Sequence, residues 1–344
     1  MQKPLPSFGD QGPARRAVTL SAQELVSFEP FPALNGPLLA ARPAVPGVDL
    51  AAWIGSHREP IAERLLRHGG ILFRGFGPRS VADFERLTAA FGADLLEYSY
   101  RSTPRSQVSD RIYTSTEYPA DQYIPMHNEM SYTSSWPLKI WFFCAQPAAS
   151  GGATPVADSR RVYERIRPPV RERFERLGVL YQRNFGHELD LPWESVFQTA
   201  DRAAVEELCR AAGLEFEWKA GNRLRTRQVC PAVARHPRTG EPVWFNQAHL
   251  FHVSSLQPEV REALLAEFAE EELPRNTYYG DGAPIEEEVL EEVREAYRLE
   301  AVTFPWEQGD LLMLDNMLMA HGREPFTGPR KILVGMAEPI TDLR

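Results

Sequence analysis

Residues 139–146 have the sequence KIWFFCAQ, and this stretch decides the fold class. Its aromatic and β-branched residues strongly favour a β-strand. Strand-like stretches also lie at 71–76 (ILFRGF), 310–315 (DLLMLD) and 331–338 (KILVGMAE). These strands lie on both sides of a long, partly helical insertion, which predicts one β-rich core rather than two independent domains.

Helical patterns flank these strands. Residues 60–68 and 81–91 have apolar positions at helical spacing and are followed by glycine, 257–273 are amphipathic, and 285–299 predict a very acidic helix. The combination predicts an α+β fold with flanking helices and a long, partly helical insertion over about residues 180–300.

The N-terminal part has a different composition. Residues 1–50 contain eight prolines and little periodicity, which predicts an extended arm on the surface. We expect residues 51–344 to form a single domain in which the insertion acts as a lid.

Charge and composition exclude several functions. The chain has 47 acidic and 38 basic residues, a net charge of -9, which argues against a nucleic-acid binder. No apolar run approaches the roughly 20 residues of a membrane helix, and residues 1–20 lack a signal-peptide core. The three cysteines are widely spaced, which is typical of free thiols, so we expect a cytoplasmic protein.

The triplet His127-Asn128-Glu129 is the first half of a candidate metal site. On a strand, residues i and i+2 face the same side, so the imidazole and the carboxylate would project together. The second half is His321, which follows the apolar strand after Gly309-Asp310. Two histidines and one carboxylate form the facial triad of non-haem Fe(II) oxygenases, whereas a structural zinc site would have a fourth protein ligand.

Two residues are suited to binding a carboxylate near this triad. Arg330 comes nine residues after His321, and its guanidinium can clamp a carboxylate in bidentate geometry. Thr154 follows the glycine turn Gly151-Gly152 and offers a hydroxyl for the same group.

Over roughly residues 60–340 the chain resembles the Fe(II)/2-oxoglutarate-dependent dioxygenases of the taurine dioxygenase (TauD/TfdA) superfamily. The motifs that carry the resemblance occur in the same order as in the family: Gly70–Phe76, His127-x-Glu129, Gly151–Pro155, Gly309-Asp310, and His321 with Arg330. Residues 127–132 (HNEMSY) are especially similar to the branch of clavaminate synthase-like enzymes and SyrP-like hydroxylases.

The resemblance implies a double-stranded β-helix core of the jelly-roll or cupin type. It implies Fe(II) held by His127, Glu129 and His321. It also implies O2 and the cosubstrate 2-oxoglutarate, whose far carboxylate meets Arg330 and Thr154. Many members have Asp where this chain has Glu129, and related halogenases lack the carboxylate. Glu129 therefore favours oxygen insertion over chlorination.

Five residues are candidates for substrate recognition. Asn128 and Ser131 flank the metal ligands, and Arg225, Arg227 and Asn246 lie in the insertion. Arginines there would suit the carboxylate of an amino-acid-like substrate, free or tethered to a carrier protein. His249 and His252 are three residues apart and could share a metal ion on a helix. No third ligand is evident, so we expect packing or lid roles for them.

The leading hypothesis is a hydroxylase of natural-product biosynthesis that attacks an unactivated C–H bond. A desaturase or ring-forming oxidase would use the same site. A non-catalytic binding or regulatory protein is disfavoured by the complete residue set, and a zinc hydrolase by the carboxylate clamp. The oligomeric state, including a homo-oligomer, stays open.

Overall fold

The computed structural model describes residues 22–31, 37–97, 106–109, 111–115, 118–186 and 191–341. The strands of these residues are, in chain order, β1 (Val26–Phe31), β2 (Leu38–Pro43), β3 (Gly70–Phe73), β4 (Gln107–Ser109), β5 (Ile112–Thr114), β6 (Ile124–His127), β7 (Ser135–Gln146), β8 (Ser150–Gly151), β9 (Val156–Asp158), β10 (Val179–Phe185), β11 (Glu215–Lys219), β12 (Arg223–Cys230), β13 (Val233–Arg235), β14 (Pro242–Trp244), β15 (Arg275–Tyr279), β16 (Leu311–Asp315), β17 (Met319–Arg323), β18 (Phe326–Thr327) and β19 (Lys331–Thr341). The α-helices are α1 (Leu50–Ser56), α2 (Arg58–His68), α3 (Val81–Ala90), α4 (Ser159–Arg165), α5 (Pro168–Leu177), α6 (Trp193–Phe197), α7 (Arg202–Ala212), α8 (Ala248–Phe251), α9 (Pro258–Glu267) and α10 (Glu287–Glu300).

The largest sheet has eight strands in the order β1-β2-β3-β16-β7-β19-β5-β4. The pair β2–β3 is parallel and the other neighbours are antiparallel. The stretch 139–146 forms most of β7, as predicted, and β7 begins four residues earlier, at Ser135. Its partners β16 and β19 are the two predicted C-terminal strands, so distant parts of the chain share one core.

A three-stranded sheet, β6-β17-β9, lies against one face of the large sheet. Phe142, Leu312 and Val334 of the large sheet pack with Val156 and Met319 of the small sheet in one apolar cluster. The described strands form separate sheets, the largest of them mixed, rather than one closed barrel. This packing fixes β6 and β17, which carry the two candidate histidine ligands, over a rigid core.

Helices α1, α2 and α3 cover the other face of the large sheet. Ile54, Leu65 and Phe84 are buried there, and the Phe84 ring stacks on Phe143 with 5.3 Å between centroids. Strands β1 and β2 belong to the same layer, and Leu38 and Ala41 are fully buried. Residues 26–31 and 38–43 are therefore sheet strands rather than an extended surface arm. Apolar and polar residues alternate in β1, whereas the first four residues of β2 are all apolar and buried. Residues 1–21 of the predicted arm lie outside the described residues.

The predicted insertion contains its own four-stranded sheet, β11-β12-β10-β15. Helix α10 forms where an acidic helix was predicted and buries Leu290, Val293 and Tyr297 against the rest of the protein. Helix α9 is shorter than predicted: it ends at Glu267 and buries none of its residues. Phe268 is extended instead of helical, so periodicity alone overestimated this helix.

A buried ion pair joins the ends of two central strands. Arg74, directly after β3, donates from Nε to one Asp310 carboxylate oxygen at 3.0 Å and from Nη2 to the other at 2.5 Å. Burial raises the pKa of the Asp310 carboxyl, while its hydrogen bonds from Arg74 oppose that shift. The two motifs Gly70–Phe76 and Gly309-Asp310 are thus halves of one structural contact.

Breaking this pair is expected to destabilise the fold. Asp310→Leu leaves Arg74 buried without its main partner, so the free energy of unfolding falls by about 3–5 kcal/mol in urea denaturation. The double variant Arg74→Leu/Asp310→Leu removes both charges and recovers much of that loss. Equal losses in the single and double variants would contradict the role of the pair.

Candidate active site

Three candidate ligand side chains converge where β6 and β17 pair. His127 lies directly opposite His321 in the antiparallel register, and their ring centroids are 4.7 Å apart. Glu129 joins them, and the nearest ligand atoms of the three residues all lie within 4.8 Å of one another. Glu129 and His321 are buried, so a cation here would be held in a largely dry environment.

The tautomer of His127 suits a metal ligand. Its Nδ1 lies 2.8 Å from the backbone oxygen of Pro125, which can only accept a hydrogen bond. Nδ1 therefore carries the proton, and Nε2 keeps its lone pair for a metal ion. Such hydrogen bonds orient metal-ligating histidines and increase their basicity. The donor set and this hydrogen bond fit Fe(II) bound by two imidazoles and one carboxylate.

Glu129 reaches the cluster by a different geometry from the one predicted. Strand β6 ends at His127, so Glu129 lies in the turn after the strand and not two residues along it. Met130 follows in the left-handed region with φ of 59°. The turn, rather than strand alternation, aims the carboxylate beside the two histidines.

Asn316 holds this turn in place, and the sequence analysis assigned it no role. Its Oδ1 accepts from the Glu129 N–H at 2.7 Å, and its Nδ2 donates to the backbone oxygens of Glu129 and Pro137, both at 2.9 Å. Asn316 is fully buried just after β16. A buried asparagine that satisfies three backbone groups is recognisable in a structure, whereas its sequence signal is only its position after an apolar strand.

We expect Asn316→Ala to weaken Fe(II) binding by about 10- to 100-fold, because residues that orient metal ligands have effects of that size. An anaerobic Fe(II) titration in the presence of 2-oxoglutarate measures this, and excess Fe(II) should restore turnover. The control is Gln257→Ala, which removes an amide side chain at an exposed position. Fe(II) affinity equal to that of the wild type would show that Asn316 does not position Glu129.

Two candidate substrate residues instead form part of the turn at residues 128–132, which follows β6 and which we call the ligand loop. Asn128 is fully buried, and its Nδ2 donates to Ser159 Oγ at 3.0 Å and to the Asn316 backbone oxygen at 2.7 Å. The Ser131 hydroxyl donates to the Asn128 backbone oxygen at 3.0 Å. These contacts point to positioning of the turn rather than to a side chain exposed to substrate.

A cavity opens beside the two histidines, and Arg330 and Thr154 both line it. Its apolar wall includes Phe142, Ile332 and Val334. Burial and the nearby Arg323 guanidinium lower the pKa of Arg330 to about 10, so Arg330 stays protonated at neutral pH. A guanidinium in a partly apolar cavity next to the candidate metal site is suited to bind a carboxylate.

Arg330 and Thr154 are both held by other groups of the chain. Arg330 Nε donates to the Gly152 backbone oxygen at 2.9 Å, and Nη1 donates to Ser115 Oγ at 3.3 Å. Trp306 Nε1 donates to Thr154 Oγ1 at 3.1 Å, which leaves the threonine hydroxyl hydrogen to donate into the cavity. Thr154 is buried, so this donor is desolvated.

Other parts of the chain pass so close to Gly151 and Gly152 that a side chain there would have little room. Gly152 has φ of 71°, and a Cβ there would lie 3.0 Å from Cδ and Nε of Arg330. Gly151 has φ of 68°, and a Cβ there would lie 2.2 Å from the backbone oxygen of Pro325. Side chains at these positions would clash with the segment that delivers Arg330.

A second arginine at the cavity, Arg323, was also missed by sequence analysis. It is the last residue of β17, and its guanidinium donates to the backbone oxygens of Tyr118, Pro119 and Gln122 at 2.9, 2.5 and 2.7 Å. Burial lowers the pKa of Arg323. Arg323 therefore fixes the 118–122 loop against the cavity and adds positive charge beside Arg330.

The insertion contacts β6 and the ligand loop through hydrogen bonds from its side chains to backbone oxygens. Gln247 Nε2 donates to the Asn128 backbone oxygen at 2.8 Å, and His249 Nε2 lies 3.0 Å from that of Met126. Burial lowers the pKa of His249 to about 3, so the ring is neutral and donates this hydrogen bond. His252 Nδ1 accepts from the Ser254 N–H at 3.1 Å. Both histidines therefore pack within the protein and hydrogen-bond to backbone groups, as expected.

The insertion residues Arg225, Arg227 and Asn246 do not line the cavity beside the histidines. Arg225 is buried and donates to Asn184 Oδ1 and to the Glu271 backbone oxygen, both at 2.7 Å. Asn246 Nδ2 donates to the Ala232 backbone oxygen at 2.8 Å. Arg227 donates to Gln182 Oε1 at 2.7 Å and borders a different cavity, within the insertion.

Comparison with known proteins finds relatives that match most of the chain. The profile of the taurine catabolism dioxygenase TauD, TfdA family matches residues 30–337. The dapdiamide synthesis protein DdaC of Enterobacter agglomerans is 40% identical over 281 residues, which cover 82% of this chain and 85% of that protein. A clavaminate synthase-like protein of Arabidopsis thaliana is 31% identical over 328 residues, which cover 90% of this chain and 94% of that protein.

Solved structures share the fold. PvcB, an Fe, alpha-ketoglutarate dependent oxygenase from an isonitrile synthetic pathway, superposes with a TM-score of 0.55 at 17% identity over 95% of this chain and 98% of that chain. AAD-2, solved in complex with Mn(II) and N-oxalylglycine, gives a TM-score of 0.54 at 11% identity over 91% of this chain and 96% of that chain.

The chain belongs to the TauD, TfdA dioxygenase family. It is an iron- and 2-oxoglutarate-dependent dioxygenase, which confirms the enzyme class and cofactors expected from its sequence. Among the described residues, no helix is long and apolar enough to cross a membrane.

Proposed function

We propose that this protein hydroxylates an unactivated C–H bond of a small amino-acid-like substrate, free or tethered to a carrier protein, in natural-product biosynthesis. The observation that carries the proposal is the His127, Glu129 and His321 cluster beside a cavity lined by Arg330 and Thr154. The similarity to a dapdiamide synthesis protein supports the biosynthetic setting. A cytoplasmic location and a homo-oligomer stay predictions.

The first part of the proposal concerns the metal. His127, Glu129 and His321 would hold Fe(II) on one face and leave the remaining coordination positions open. Bound iron and 2-oxoglutarate supply the oxidising chemistry, and the chain supplies orientation and a dry cavity. We interpret the two facing sheets as the jelly-roll core that places these ligands.

The second part concerns the cosubstrate. Arg330 would bind the far carboxylate of 2-oxoglutarate, with the Thr154 hydroxyl donating to the same group. Phe142, Ile332 and Val334 exclude water from that contact, which strengthens it. The hydrogen bond to the Gly152 oxygen already fixes the Arg330 side chain, so the side chain loses little conformational entropy when the carboxylate binds.

A substrate screen tests the reaction. Free amino acids and carrier-bound aminoacyl groups are incubated with enzyme, Fe(II), 2-oxoglutarate and O2, and scored by succinate release and product mass. Hydroxylation predicts a product heavier by one oxygen atom. A product that has lost two hydrogen atoms would show desaturation or ring formation instead of hydroxylation. If succinate forms at the same rate with and without each compound, this substrate class is wrong.

A further inference from the structure

A buried histidine of the insertion contacts the end of a core strand. His236 lies in the connection between β13 and β14, and its Nε2 is 3.0 Å from Oδ2 of Asp315, the last residue of β16. Both residues are 1% exposed, so water does not replace either partner. A buried carboxylate is costly unless other groups satisfy it. The contact therefore ties the insertion to the strand that leads into the candidate metal site.

The direction of this hydrogen bond follows from the other ring nitrogen. His236 Nδ1 accepts from the backbone N–H groups of Arg238 and Thr239 at 3.3 and 3.2 Å. A ring nitrogen that accepts carries no proton, so the proton is on Nε2, which donates to Asp315. The side chain thus has two separate tasks: Nδ1 holds its own loop, and Nε2 holds the carboxylate.

Asp315 in turn shapes the segment that carries Asn316. Its Oδ1 accepts from the backbone N–H groups of Met317 and Leu318 at 3.0 and 3.1 Å, which closes the chain around Asn316. The Asn316 side chain is hydrogen-bonded to the N–H and the oxygen of Glu129. If Asp315 loses its histidine partner, one buried oxygen is left unsatisfied and this segment must rearrange.

We propose that His236 is a positioning residue for the metal site, and that it acts through Asp315 and Asn316 on Glu129. This inference rests on the proposed function, because it requires that Glu129 binds Fe(II), and it makes the insertion part of the support of the iron ligands. Residues that orient metal ligands change affinity by about 10- to 100-fold. His236 is one contact further away than Asn316, so we expect about three- to tenfold.

Two substitutions at His236 separate its two tasks. In His236→Asn the shorter amide can place an acceptor near the position of Nδ1, but it does not reach Asp315. In His236→Gln the longer amide can place a donor near the position of Nε2. We expect His236→Asn to weaken Fe(II) binding by about three- to tenfold and His236→Gln to weaken it clearly less. The reverse order would show that His236 only supports its own loop.

The measurement is the anaerobic Fe(II) titration with saturating 2-oxoglutarate, followed by the visible absorption band, together with Tm of the metal-free protein. His57→Asn is the matched control for loss of a buried histidine. His57 stacks on Trp53 with 4.4 Å between ring centroids, in the helical layer on the far face of the large sheet. It should lower Tm and keep the Fe(II) affinity of the wild type.

A double variant tests whether the effect passes through Asn316. Once Asn316→Ala has released the ligand loop, the addition of His236→Asn should weaken Fe(II) binding no further, because substitutions in one chain of contacts are not additive. Losses that multiply in full would show that His236 does not act through Asn316, and would overturn the inference.

A second variant covers the case in which His236→Asn does not fold. Asp315→Asn has the same shape, keeps an acceptor for the segment after β16 and should also weaken Fe(II) binding. Fe(II) affinity equal to that of the wild type in His236→Asn, or in Asp315→Asn where it takes its place, would overturn the inference while the wild-type band still forms. If the wild type forms no band, the proposed function fails instead.

Discussion

Glu129→Ala is expected to abolish substrate oxidation. The change removes the anionic ligand and leaves two neutral imidazoles, which bind Fe(II) less well and cannot complete the facial triad. Because changes at residues that only orient the metal ligands already cost about 10- to 100-fold, we expect a loss greater than about 100-fold. Succinate release and product formation at fixed Fe(II) measure the effect.

Glu129→Asp is the matched control for this variant. Aspartate is one methylene shorter but keeps the carboxylate, so part of the activity should remain. The Glu129 backbone contacts to Asn316 do not involve the side chain, and both variants should therefore melt close to the wild type. Turnover of Glu129→Ala at the wild-type rate would disprove the ligand role.

Arg330→Ala is expected chiefly to raise the concentration of 2-oxoglutarate needed for half-maximal rate. Losing one partner of a desolvated charge pair costs about 2–5 kcal/mol, which corresponds to about 30-fold to several thousand-fold in affinity. The rate at saturating 2-oxoglutarate should change far less, because Arg330 lines the cavity and is not among the candidate metal ligands.

The neighbouring Lys331→Ala serves as the matched control, since Lys331 is exposed and does not line the cavity. It should leave the 2-oxoglutarate requirement unaltered. If Arg330→Ala has the same requirement as the wild type, the far carboxylate is bound elsewhere, and Arg323 would be the next candidate because it also lines the cavity.

The candidate metal ligands could be predicted from the sequence because their residue types alone indicate metal binding. His127, Glu129 and His321 combine residue types that Fe(II) prefers, and Arg330 follows at a spacing that β17 and β19 explain. The central strands were predictable for a similar reason, since β7 and β16 are almost continuously apolar and buried on both faces.

What the sequence could not predict depends on contacts between distant residues. The turn at Glu129 is held by Asn316, almost two hundred residues away, and no local pattern reveals that hydrogen bond. The burial of β2 depends on pairing with β3, while α9 ends early although its amphipathic pattern continues.

The most direct test of the central claim is an anaerobic titration of the wild-type protein with Fe(II) and 2-oxoglutarate. The proposed site predicts a weak visible charge-transfer band that saturates at one Fe(II) per chain, is lost in Glu129→Ala and requires more 2-oxoglutarate in Arg330→Ala. Admitting O2 should then yield succinate. No band in the wild type, together with no succinate under any substrate mixture, would contradict the assignment of this site.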